Sequence, residues 1–187
     1  SDLGALELGA TTATKRQPGV EVDLGGIAKG YAIDQATARM LAAGAVAGLV
    51  DVGGDLRVFG APPREDRWTV QVRNPFGKGT PVTLRLAPGA VCTSGDYFRY
   101  VELDGRRYSH IVDPRTGYPA EPVHSATVAA PDATSADVWA TALTVLGEAG
   151  LARLPTHHEA LLVLGDRAAP RAVATTGFLA LVVEGPP

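Results

Sequence analysis

Asp137 and Thr141 stand four residues apart, so any helix that contains them carries a carboxylate and a hydroxyl on one face. With a backbone carbonyl and phosphate or water oxygens, such a hard-oxygen pair suits Mg²⁺, which keeps an octahedral shell and is commonly held jointly with substrate phosphates. The same pair also suits an acid facing a helix dipole and a threonine bonded to its own backbone, and spacing alone leaves both readings open. A second chemical feature lies upstream, in Val22-Asp23-Leu24-Gly25-Gly26-Ile27-Ala28-Lys29-Gly30-Tyr31-Ala32-Ile33-Asp34. An apolar entry, two glycines, a lysine and a helix-forming run describe a strand that turns into a helix start. Free N–H groups and the helix dipole attract an anion there, and Lys29 adds a point charge, so a phosphate-bearing ligand fits. A plain glycine-containing turn fits as well. The spacing matches neither the dinucleotide Gly-x-Gly-x-x-Gly nor a Walker loop. His110 lies between an aromatic, apolar strand and Asp113-Pro114; it is either a half-buried structural histidine or a general base placed by a sheet. Thr93-Ser94-Gly95 either offers backbone N–H groups to a ligand or forms a plain turn. His124, His157 and His158 have no ligand-like spacing and receive no role, the His-His pair reading as solvated surface.

The elements that must position these residues follow from periodicity and turn chemistry. Helical patterns run over 27–43, ending near Gly44, and over about 136–146, capped by the 131–135 segment and ended by Gly147. The stripe Val138, Leu143, Val145 and Leu146 is expected on the sheet. Strands are expected at 48–52 and 56–59, with Gly53-Gly54 between them marking a bulge or a close backbone approach. Alternation at 68–73 and 82–86 predicts half-exposed antiparallel neighbours. The 90–95 segment leads into a hairpin, 98–103 and 107–112, turned by Asp104-Gly105. A turn-rich loop at 113–119, a strand at 125–129, a short helix at 148–154 and apolar runs at 160–164 and 179–183 complete the pattern. Residues 1–21 read as a loose lead-in. Together these predict one α+β domain over 1–187, an antiparallel or mixed sheet covered by helices.

Composition bounds the function. The 187 residues are 45% hydrophobic and 20% charged with a net charge of −3, which describes a globular chain without the basic stripe that nucleic-acid binding requires. Cys92 is the only cysteine, excluding an internal disulfide and a cysteine-based zinc cluster. No apolar run approaches the roughly 20 residues of a membrane helix, and the first residues do not read as a secretory signal.

Five segments in one order, namely 22–34 above, Val52-Gly53-Gly54-Asp55, Thr93-Ser94-Gly95-Asp96-Tyr97, Tyr108-Ser109-His110-Ile111-Val112-Asp113-Pro114-Arg115-Thr116-Gly117 and Ala136-Asp137-Val138-Trp139-Ala140-Thr141-Ala142-Leu143, give the chain its family likeness. It resembles the FAD:protein FMN transferases, the ApbE-type flavin transferases, over nearly its whole length. The resemblance implies an ApbE-like fold and Mg²⁺-dependent transfer of FMN from FAD to a Ser or Thr hydroxyl of an acceptor protein, with release of AMP. It implies FAD contacts from Asp23, Lys29 and Ile111, metal ligation by the Gly26 carbonyl, Asp137 and Thr141, and His110 as the base for the acceptor hydroxyl. An FAD pyrophosphatase giving FMN and AMP, and a non-catalytic flavin- or metal-binding module, are the alternatives. Only residues 1–21 precede the first segment, whereas the family carries a substantial stretch there. A C-terminal piece or a short variant is therefore expected, with self-association through uncovered sheet edges or apolar surface. Family members often work at the outer face of the bacterial cytoplasmic membrane; no residue here fixes a compartment.

Overall fold

A computed structural model describes residues 3–77, 81–95, 100–103, 106–120, 123–166 and 169–185. Asp96 and Tyr97, with the Asp104-Gly105 turn, lie outside the described residues. Thirteen strands and three α-helices are described: β1 (Leu6–Leu8), β2 (Ala13–Lys15), α1 (Ala28–Ala42), β3 (Gly48–Val52), β4 (Asp55–Phe59), β5 (Trp68–Val72), β6 (Val82–Leu86), β7 (Gly89–Gly95), β8 (Tyr100–Leu103), β9 (Arg106–Ser109), β10 (Val123–Ala130), α2 (Ala133–Leu146), β11 (Glu159–Asp166), β12 (Ala169–Ala174), α3 (Thr176–Leu179) and β13 (Val182–Glu184). A six-stranded sheet has the order β12-β11-β10-β7-β4-β3, a three-stranded sheet the order β13-β6-β5, and β1-β2 and β8-β9 form separate hairpins.

The central strands are apolar on both faces because both faces are covered. On one side Cys92, Ala126, Val128, Leu162 and their neighbours meet Ile33 of α1 and the alanine-rich face of α2. On the other, Val91, Ala129 and Leu161 join Val70, Leu84 and Phe178 under the three-stranded sheet. The result is three layers, with α2 lying over β7 and β10 and α1 packed on α2 and β4.

The α+β class holds, and every described pairing is antiparallel, so the mixed alternative falls away. Several expectations are corrected. Gly53-Gly54 is the two-residue turn of the β3–β4 hairpin rather than a bulge: φ is 66° and 97° at the two glycines, and Val52 pairs with Asp55. Such turns require left-handed backbone at both positions, which glycine adopts without steric cost. Residues 22–24 form no strand. Within the lead-in, a 3₁₀ turn at Leu3–Ala5 and the β1–β2 hairpin are formed. β6 is mostly buried rather than half exposed, the 148–154 helix is a 3₁₀ segment at Gly147–Arg153, and the 179–183 run is split between α3 and β13. α2 starts at Ala133, one turn early, with Asp132 as its N-cap, accepting from Ser135 N at 2.7 Å. Its buried face is Ala133, Ala136, Asp137, Ala140, Leu143 and Thr144, while Val138 faces outward. Small residues win that face because they let α1 approach closely.

Candidate active site

The two helices cap one another. α1 begins at Ala28 with Ile27 in the cap position and no side-chain cap of its own. Its third residue, Gly30, donates its backbone N–H to Asp137 Oδ2 of α2 at 2.9 Å, so an acid from the neighbouring helix satisfies a donor left open by the helix start. In return Asp34 of α1 accepts Ala133 N at 3.0 Å, Thr134 N at 2.8 Å and the Thr134 hydroxyl at 2.5 Å at the start of α2. Arg57 of β4 anchors Asp34 at 2.6 Å. The contact is close enough that a Cβ on Gly30 would lie 2.2 Å from the Ala133 carbonyl oxygen and 2.8 Å from Asp137 Cβ.

This packing brings a polar cluster together. Lys29 is ion-paired with Asp55, the first residue of β4, which is only 2% exposed. Asp55 also accepts Thr93 N of β7 at 2.8 Å. Burial pulls the Lys29 pKa down, but the hydrogen bond and charge of Asp55, helped by Asp137, carry it above the ordinary lysine value. The ammonium stays charged, and with one of its three donors on Asp55 it can give others to an anion. Asp137 is 1% exposed; burial raises its pKa, the Gly30 N–H offsets part of that, the Asp55 charge adds to it, and Lys29 opposes it. One helical turn further on, Thr141 Oγ1 is 3.0 Å from Ser94 Oγ of β7. Gly26, in the turn before α1, closes over it: a Cβ there would lie 3.2 Å from Thr141 Oγ1. Cys92, on β7 beneath these residues, is a buried thiol whose pKa burial pushes far up, leaving it unreactive.

The donor set fits a hard cation. A carboxylate held in its charged form only at a desolvation cost and a hydroxyl stand one turn apart on α2, and the Gly26 turn packs on the hydroxyl, so the side chains present offer oxygen, as a glycine carbonyl also would. A divalent ion beside Asp137 would offset the burial that opposes its ionisation. Among the described residues no group of three His, Cys, Asp or Glu is arranged for a metal.

Of the residues singled out in the sequence, Gly26, Lys29, Asp137 and Thr141 are drawn into this cluster. Asp23 sits on the exposed approach to the turn, its Oδ1 accepting Gly25 N at 2.6 Å. His110 and Ile111 come from a different element, the end of the β8–β9 hairpin: His110 is exposed, and Ile111 is buried with its N–H on Ser109 Oγ at 3.1 Å. The following loop is closed by Gly117 N donating to the Asp113 carbonyl at 2.8 Å, and it reaches α2 through Arg115 Nη2 and the Val145 carbonyl at 3.4 Å. His158, read as solvated surface, instead bonds Ser135 Oγ at 2.8 Å beside the α2 start, and His124 bonds the Gly165 carbonyl. Asp55, Ser94 and Asp34 lie within the family segments but have no role assigned from sequence; an acid directly after Gly53-Gly54 is the available signal for Asp55.

Comparison with known proteins gives the same family from sequence and from fold. The model of the ApbE family matches residues 2–164. The FAD:protein FMN transferase of Rhodobacter capsulatus is 41% identical over 144 residues, covering 76% of this chain and 27% of that protein. The FAD:protein FMN transferase of Klebsiella pneumoniae is 38% identical over 143 residues, covering 74% of this chain and 43% of its own length. The crystal structure of the ApbE protein from Thermotoga maritima superimposes with a TM-score of 0.87 at 36% identity, over 97% of this chain and 60% of the other. The flavin transferase ApbE from Vibrio cholerae gives 0.85 at 29% identity, over 97% and 59%. The chain belongs to the ApbE family. It spans less than half the length of the two named transferases and about three fifths of the two solved chains.

Proposed function

We propose that this chain is a flavin transferase unit that, with Mg²⁺, moves FMN from FAD to a Ser or Thr hydroxyl of an acceptor protein and releases AMP. The observation that carries the reading is the Gly30–Asp137 bond, which fixes the cationic start of α1, with Lys29, against the acid and hydroxyl of α2. The names of the related transferases support the same reading. Asp137, Thr141 and the Gly26 carbonyl would hold Mg²⁺, which when bound supplies positive charge beside pyrophosphate oxygens.

The remaining work falls to side chains of this chain. Lys29 binds the pyrophosphate while Asp55 holds its ammonium in place, and Asp23 and Ile111 contact the FAD. His110 takes the proton of the acceptor hydroxyl as that oxygen bonds to the FMN phosphorus. The bridging phosphorus–oxygen bond breaks, and AMP leaves with its electron pair. Charge grows on the leaving oxygen, where Lys29 lowers the barrier by electrostatic stabilisation.

The test is AMP release from FAD with Mg²⁺, with and without a peptide bearing a Thr or Ser hydroxyl, resolved by chromatography. AMP together with flavin-labelled peptide is the expected result. AMP with free FMN in both mixtures would assign a pyrophosphatase, and no AMP from folded protein would refute catalysis by this chain alone.

A further inference from the structure

Two threonines of α2 dispose of their hydroxyls differently. Thr144 Oγ1 donates to the Ala140 carbonyl at 3.0 Å, the usual bond of a helical threonine to the preceding turn. Thr141 Oγ1 instead meets Ser94 Oγ across the gap to β7, also at 3.0 Å. A hydroxyl has one proton and two lone pairs, so it serves a cation well only when its proton points elsewhere. We propose that Ser94 is a positioning residue: it accepts the Thr141 hydroxyl proton and so turns the Thr141 lone pairs toward the cation position beside Asp137, a role that rests on reading Asp137 and Thr141 as metal ligands. The opposite orientation, with Ser94 donating, would spend one Thr141 lone pair on Ser94 and leave the Thr141 proton to find another acceptor.

Ser94 is well placed for this. Its strand is locked in the middle of the six-stranded sheet, paired with β10 at Ala126 and held at the next residue by Thr93 Oγ1 to Thr127 Oγ1 at 2.9 Å. One dipeptide thus supports both halves of the cluster. Thr93 N fixes Asp55, which fixes Lys29, and Ser94 fixes Thr141. Groups that orient a metal ligand typically contribute about 10–100-fold to metal affinity.

The test is a double-mutant cycle read by binding rather than turnover. Mn²⁺, an oxygen-seeking stand-in for Mg²⁺, is titrated with and without FAD into wild type, Ser94→Ala, Thr141→Ala and the double variant, free Mn²⁺ being read by electron paramagnetic resonance. Ser94→Ala is expected to weaken binding by about 10–100-fold in the wild-type background and less than about 2-fold in the Thr141→Ala background. Ser94→Thr, which restores a hydroxyl, recovers most of the loss. Equal factors in both backgrounds, or no loss in Ser94→Ala while wild type binds, would overturn the role of Ser94 alone. Wild type that binds no Mn²⁺ in either condition would overturn the metal reading and this role with it. Should Ser94→Ala not fold, Ser94→Cys keeps the volume with a weak acceptor, and the same criteria apply to it.

Discussion

Replacing Gly30 by alanine sets two effects of opposite sign against each other. In an unencumbered helix, Gly→Ala stabilises by up to about 1 kcal/mol. Here the new Cβ would lie 2.2 Å from the Ala133 carbonyl oxygen and 2.7 Å from its carbon, backbone atoms that cannot swing aside as a flexible side chain would. Relieving the oxygen contact to 3.0 Å moves α1 and α2 apart by about 0.8 Å. Overpacking of this kind costs about 1–3 kcal/mol. The shift also stretches the 2.9 Å bond from Gly30 N to Asp137, a charged hydrogen bond worth about 1.5–3 kcal/mol. The unfavourable terms win, with a net loss of about 2–4 kcal/mol. For a chain of 187 residues, at about 2–4 °C per kcal/mol, the melting temperature falls by about 5–15 °C. Differential scanning calorimetry reads the melting temperature, and the Mn²⁺ titration reports whether Asp137 has moved. A variant that melts at or above wild type would show that helix propensity governs this position and that the helices are not in the contact described.

Three further outcomes follow from the same geometry. Burial raises the Asp34 pKa, but the Thr134 hydroxyl, the two N–H groups and Arg57 outweigh it and hold the value below the ordinary carboxylate range. Its contribution is therefore complete above about pH 4 and lost as pH falls through its lower folded value; Asp34→Asn should cost about 1–2 kcal/mol at pH 7, with the gap from wild type closing in acid, and a gap constant with pH would refute the ion pair. Asp137→Asn keeps an acceptor for the Gly30 N–H while removing the charge, so it should abolish Mn²⁺ binding with a smaller fall in melting temperature than Asp137→Ala, which strips the α1 cap as well; equal melting of the two variants would refute the cap. β3 is an edge strand with neither proline nor lysine, Leu49 and Val52 on it are exposed, and Val46 beside it is 89% exposed. Self-association is expected from such an edge, and a monomeric mass by light scattering at high concentration would refute it.

What could be read in the sequence was what depends on neighbours along the chain. The four-residue spacing put Asp137 and Thr141 on one helix face, alternation found the β5–β6 pair, and the order of the five segments carried the family. What could not be read depends on distant strands. Asp55 and Ser94 matter because the sheet brings β4 and β7 side by side, with Leu56 opposite Val91. The α2 face was misjudged because ranking by hydrophobicity chose Val138, whereas the close approach of α1 selects alanine. The Gly53-Gly54 turn was within reach, since two adjacent glycines between alternating runs suit a two-residue hairpin better than a bulge.

The mutual capping of α1 and α2 also changes what Asp137 can be said to do. Regarded as a metal ligand only, it could be deleted without cost to the fold. Buried and bonded to Gly30, it is part of the start of α1, so the same carboxylate terminates one helix and faces the candidate cation from another. Asp34 performs the matching task for α2 and ties it through Arg57 to β4, the strand that supplies Asp55. β4 therefore contributes Asp55 and Arg57 two residues apart, opposite in charge, to partners Lys29 and Asp34 five residues apart on α1. A one-residue slip of β4 would turn these side chains to the other face of the sheet and break both pairs at once. The register of β4 is thus what aligns its Asp55 and Arg57 with Lys29 and Asp34 on α1, while the Gly30–Asp137 bond sets that helix against α2.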